Sequence, residues 1–192
     1  MGEYKRGLQS PFVQTSGEHV SELDEAWALA LAEAEARARV AGRSDLAQYL
    51  ALRNSNDLLR KTGIDWLMQT FTELAGKANR AGAPIQIASA DAHRFRVGTA
   101  TMVGRLLTLK SGVRTLMVEA GWPRTPRDGF VRGGGLACAH VRHVGIARAS
   151  RQLLLVKSAT GVPEWKVVER AERHLDEAAV SEHLEILVDR KD

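Results

Sequence analysis

The sequence predicts an α+β chain: three N-terminal helices, an antiparallel sheet of about five to seven strands, and a C-terminal helix. Three observations carry this. Apolar residues recur at three- and four-residue spacing through the first eighty positions, the signature of one buried helical stripe. After Pro84 the apolar period changes to two, as in half-buried strands. The strand segments are joined by short Gly-containing connections with no helix between them, which favours hairpins over parallel crossovers.

Val20, Leu23, Trp27, Leu31, Ala34, Ala38 and Ala41 predict a first helix from Val20, with Gly42 as its stop. Ser21 with Asp24 has capping-box spacing, and Thr15 with Glu18 competes with it. Ser44-Asp45 can cap a second helix through Arg53, and Asn54-Ser55-Asn56 reads as a break. Thr62-Gly63-Ile64-Asp65 opens a third helix to about Arg80, burying Leu67, Phe71, Leu74 and Ala78 before Ala81-Gly82-Ala83-Pro84 ends it. Strands follow at Ile85–Ile87, His93–Val97, Met102–Leu109, Val113–Glu119, Leu136–Val144, Gln152–Lys157 and Trp165–Val168, with Lys110-Ser111-Gly112 as a hairpin connection. The last helix spans His174 to Asp189 and buries Val180, Leu184, Leu187 and Val188. Residues 1–16 are expected as a flexible tail, 17–82 as a helical region, and 83–192 as a basic antiparallel β region with its closing helix, the latter two in one compact domain.

Composition narrows the functional classes. A chain of 192 residues buries enough surface to fold without a metal or a disulfide. No apolar run is long enough to span a membrane. The start MGEYKRGLQSPF lacks the apolar core of a secretory signal, and Arg6 replaces the Ser or Thr of a myristoylation start. Cys138 is the only cysteine, so no intramolecular disulfide exists and a cytoplasmic location is expected. No stretch resembles a known family.

Charge is unevenly placed. The net charge is +4 for the whole chain, yet residues 92–158 hold twelve Lys and Arg, ten of them Arg, against Glu119 and Asp128 alone. Acidic segments flank this basic third. Guanidinium groups grip phosphate and carboxylate through a planar fork of donors, so the pattern points to an anionic partner. The same pattern arises if acidic helices neutralise the basic sheet from within the molecule.

The segment Glu119–Phe130 predicts a long loop stiffened by Pro123 and Pro126, with Trp122, Arg124, Arg127 and Asp128 presented on it. It can act as an anion clamp, or fold back with Arg124 on Glu119. Arg132 and the glycines 133–135 follow; with no Walker spacing and a strand next in sequence, close backbone packing is the plainer reading. Cys138, His140 and His143 are not a metal set, because Cys138 and His140 share one face of a strand and His143 takes the other. Neither a metal nor any other cofactor is expected. Glu119 and Asp128, among arginines, suit the role of their partners better than that of general acids.

The expected function is therefore a non-enzymatic binding module for an anionic partner, either nucleic acid or a phosphorylated or carboxylated ligand. Arg94, Arg96, Trp122, Arg124, Arg127 and Arg132 are the expected contacts on the basic β surface and the 119–135 loop. One alternative is an interaction subunit that oligomerises through the Ala-rich helix at residues 20–41. Another is a small enzyme with a site near Trp122, Asp128 and His140. Sparse aromatics, with Phe95 pointing away from Arg94 and Arg96, argue against a base-stacking sheet.

Overall fold

The computed structural model describes residues 16–189, and for residues 16–24 and 170–172 it describes the backbone alone. Helices α1 (Ser16–Val40) and α2 (Ser44–Arg80) form an antiparallel hairpin closed at Gly42, whose φ of 70° suits glycine. Strands β1 (Gln86–Val97), β2 (Ala100–Ser111), β3 (Arg114–Trp122), β4 (Ala137–His143), β5 (Arg151–Lys157), β6 (Pro163–Val167) and β7 (Arg170–His174) pair in sequence order as one antiparallel meander. Helix α3 (Glu177–Val188) closes the chain, and its N-cap Asp176 accepts a hydrogen bond from the Ala179 amide at 2.8 Å.

The α+β class and the antiparallel sheet are as the sequence predicts, but the helix count differs. The second and third predicted helices are one 37-residue α2 that runs through Asn54-Ser55-Asn56. Each of these residues disfavours helix by only about 0.5 kcal/mol relative to Ala. Asn54 and Asn56 are half-buried, so the contact along α1 outweighs that local preference. The Thr62–Asp65 capping box is likewise unused. Gly63 lies in the helix interior, where a Cβ would stand 2.6 Å from Leu155 Cδ1, and its carbonyl accepts the Trp165 indole N–H at 2.8 Å. Glycine is there for close packing of helix on sheet. The first helix starts earlier than Val20; the competing cap Thr15 and the predicted tail up to residue 15 lie outside the described residues.

The predicted strands at Ile85–Ile87 and His93–Val97 are one strand. β1 carries a bulge in which Asp91 and Ala92 stand against the single residue Arg105, and Ala92 takes a φ of 54°. The bulge interrupts the alternation that a sequence reading relies on. The β2–β3 hairpin turns at Gly112-Val113, one residue later than expected, and β3 continues three residues past its predicted end at Glu119, to Trp122, which shortens the expected loop. β7 is not among the predicted strands; it ends at His174, where the last helix is expected to begin, and α3 starts three residues later at Glu177.

One face of the sheet is covered. Leu107, Leu109, Leu116, Val118, Ala139, Val141, Leu153, Leu155 and Trp165 pack against Leu67, Phe71 and Ala75 of α2 and Val180, Leu184 and Leu187 of α3. The other face is concave. Gly104 and Gly121 pair directly across β2 and β3, so close that a Cβ on Gly104 would lie 2.0 Å from the Ala120 carbonyl oxygen. Two strands separate β1 from β4, an ordinary spacing of about 14 Å. Yet the rings of Phe95 and His140 are 5.6 Å apart, so the sheet rolls up around its open face. Phe95, Ala100, Met102 and Cys138 form a second small core there, with Val131 of the β3–β4 connection packed on it.

Candidate functional site

The concave face holds a carboxylate that the chain has surrounded with cations. Glu119 is 4% exposed. His93 Nε2 donates to its Oε1 at 2.7 Å, and Arg142 Nη2 lies 3.1 Å from its Oε2. His140 Nδ1 stands 3.8 Å from the same oxygen. Strand parity places Glu119, His140 and Arg142 on one face, and the β3–β4 register sets Glu119 opposite His140. His93 reaches from β1 across β2 because the residue paired with it is Gly104, which puts no side chain in the way. Its ring stacks on Phe95 at 6.0 Å.

Glu119 and His140 open into a cleft of about 610 Å³. Its walls come from β1 (Arg94, Phe95, Arg96), β4 (Arg142), the segment that leads into β5 (Ser150, Arg151, Gln152) and the β6–β7 turn (Glu169). Arg94, Arg96 and Arg142 therefore border the cleft together with Glu119 and Glu169. The arginines are not equivalent. Arg94 is bound to Asp128 at 3.2 Å and Arg142 to Glu119. Arg151 lies on the helix-covered face with Val141 and Leu153, near His143 and His183, and its Nη1 donates to the carbonyl oxygens of Arg148 and Ser150 at 2.7 and 2.8 Å. Arg96 makes no hydrogen bond or ion pair among the described residues.

His140 titrates below the ordinary histidine range. Burial is the main cause, Glu119 pulls it back up, and Arg142 pushes it down. The imidazole is therefore neutral at pH 7. Asp128, in the capping box of the short helical turn Pro126–Asp128, is held below the usual carboxylate range. The Thr125 hydroxyl is the main cause and Arg94 assists. Burial pushes the Cys138 thiol up to about 11, which leaves it protonated and inert.

Of the expected contacts, the structure brings Arg94 and Arg96 to the cleft and leaves the others elsewhere. Trp122 packs at the edge of the main core, and the Arg124 guanidinium lies 3.7 Å over its ring. Arg127 and Arg132 are exposed on the 123–136 connection. That connection is a packed strap: Val131 and the glycines lie on Leu154, where a Cβ at Gly135 would come within 2.2 Å of Leu154 Cδ1. Trp122, Asp128 and His140 do not share one cavity; among them only His140 lines the cleft. Asp65 binds Arg105 at 2.9 Å and Asp91 binds it at 3.2 Å, so the acidic N-terminal part does neutralise one arginine of the basic third.

Sequence reasoning missed His93, Arg142, Gln152 and Glu169. The alternation of His140 and Arg142 on β4 was a usable signal, but their convergence on Glu119 needs the register and the rolled sheet. Among the described residues no group of three or more His, Cys, Asp or Glu is arranged to hold a metal ion, and no helix is long and apolar enough to cross a membrane. Comparison with known proteins finds no family model, no curated protein and no solved structure that matches this chain.

Proposed function

We propose that the protein binds a small anionic ligand, carrying a phosphate or carboxylate group, in the concave cleft. The observation that carries this reading is the set of guanidinium groups bordering the cleft, Arg94, Arg96 and Arg142, of which Arg96 has no carboxylate partner among the described residues. Gln152 and Ser150 supply neutral hydrogen-bonding groups in the same cleft. A cleft of about 610 Å³ is the size of a small-molecule site. The sequence-level expectation of a broad polyanion surface is less well supported, because Arg105, Arg114, Arg124 and Arg151 are dispersed around the molecule in separate contacts.

Titration with inorganic phosphate and with acetate, followed by amide NMR shifts, tests the reading. Saturable shifts at Arg96, Arg142 and Gln152 are expected. Arg96→Gln should weaken binding by about tenfold or more, the worth of one charge-assisted hydrogen bond. Shifts that scatter over the surface, or an unchanged affinity in Arg96→Gln, would exclude it.

A second reading rests on a different observation. Trp27, Leu29, Tyr49, Leu52 and Leu58 are each more than half exposed along the α1–α2 hairpin. Apolar exposure on that scale suits self-association of the helical arm.

A further inference from the structure

We propose that the strap between β3 and β4 binds single-stranded nucleic acid, with Phe130 as the stacking platform and Arg127 and Arg132 as the phosphate contacts. None of these three residues lines the cleft, so this inference and the anion-binding reading stand or fall separately.

Phe130 is the residue that singles out the strap. Phenylalanine is among the side chains most often buried, and Phe71 and Phe95 are buried here, yet Phe130 is 79% exposed. That exposure is built into the backbone and does not come from a loose tip. On one side Gly129, at a φ of 90°, is pressed against β2, where a Cβ would stand 3.0 Å from the Ala100 Cβ. On the other side Val131 packs on the second small core, which Phe95, Ala100, Met102 and Cys138 already fill. With both neighbours anchored, the ring is held out in water. Pro126 and the Thr125–Asp128 capping box stiffen the chain before it. A ring held in this way loses little freedom when a flat partner covers it.

The charge around the ring is of one sign. Arg127 and Arg132 are exposed and make no hydrogen bond or ion pair among the described residues. Asp128, the only acid between Pro123 and Leu136, is already occupied. The Thr125 amide and hydroxyl donate to its Oδ2 at 3.0 and 2.9 Å, and Arg94 donates to its Oδ1 at 3.2 Å.

An aromatic face between two unengaged guanidinium groups fits an unpaired base flanked by phosphates. A duplex hides its base faces. Its major groove admits an α-helix or a two-stranded ribbon, and the strap offers only the short helical turns Pro126–Asp128 and Arg132–Gly134. A lipid surface calls for more apolar area than one ring supplies. Every base has a flat face, so the site is tolerant of sequence.

The test follows the fluorescence anisotropy of a labelled oligothymidylate of about ten nucleotides as the full chain is added. Saturable binding is expected, weakening about sevenfold between roughly 50 and 200 mM salt, as two phosphate contacts on a single strand require. Phe130→Ala should weaken it about tenfold with the salt dependence unchanged, and Phe130→Tyr should keep the parent affinity. Arg127→Gln and Arg132→Gln should each reduce the logarithmic salt slope by about half. Any binding to a duplex of the same length should be indifferent to Phe130→Ala. No binding at low salt, Phe130→Ala within about twofold of the parent, or salt slopes unchanged in both arginine variants overturns the proposal. Phe130-dependent sedimentation with vesicles of phosphatidylserine and phosphatidylcholine, in place of oligonucleotide binding, assigns the strap to a lipid surface and overturns it too.

Discussion

His143 and His183 show how one residue's surroundings set the conditions under which the whole chain is stable. They are buried between β4 and α3, their rings stacked at 5.2 Å, with Nε2 of His143 3.0 Å from Nδ1 of His183. Burial pushes both below the ordinary histidine range, His183 to about 4, and Arg151, Arg114 and Arg173 push the same way. Both rings are neutral in the folded protein. Below the ordinary value of 6.5 the unfolded chain takes up protons that the folded chain refuses, so stability is complete above pH 6.5 and declines as pH falls toward 4, where His183 also protonates in the folded state. The loss over that window should reach about 3 kcal/mol. Urea unfolding at a series of pH values measures it, and His183→Gln should flatten the acid slope. The opposite placement of His140 and His143 was legible from strand parity alone, since three positions separate them. That His143 would meet another histidine was not, because its partner comes from a helix forty residues away.

At the scale of elements, periodicity located the C-terminal half of α2, most of the strands and α3 to within a few residues, because each buries one face and the sequence repeats accordingly. Four features escaped: β7, the bulge in β1, the continuity of α2 and the roll of the sheet. Each depends on a contact between segments, and local residue preferences do not encode such contacts. The roll is the most consequential. It rests on Gly104 and Gly121, where no Cβ fits between β2 and β3. In Gly104→Ala the new methyl group would meet backbone, which cannot rotate away, and the substitution should cost about 3 kcal/mol or more. Chemical denaturation gives the value. A fully stable Gly104→Ala protein would mean that the strands are less tightly coiled and that His93 does not need an empty position beside it.

For the whole molecule, the basic third of the chain does not form one continuous surface. Its arginines divide among the cleft, the strap between β3 and β4, and contacts with α2 and α3. Composition could show the excess of positive charge but not its partition, which is decided by the fold. The helical hairpin poses a separate question at this scale. The α2 members of the main core begin at Ile64, and upstream its buried residues Ala47 and Leu59 lie along α1, where Leu31 and Ala38 are buried. If the arm self-associates, light scattering should give a mass above 21.0 kDa that rises with concentration. Leu52→Glu with Leu58→Glu should return it to the monomer with the fold intact. A parent protein that is monomeric at every concentration would dismiss that role.

The contact at Gly63 has a mechanical meaning. Because no side chain separates α2 from Leu155 and Trp165, the long helix rests on the sheet at a fulcrum, with the free arm on one side and the core-bound turns on the other. A load applied to the arm is therefore transmitted through β5, the same strand that carries Gln152 into the cleft.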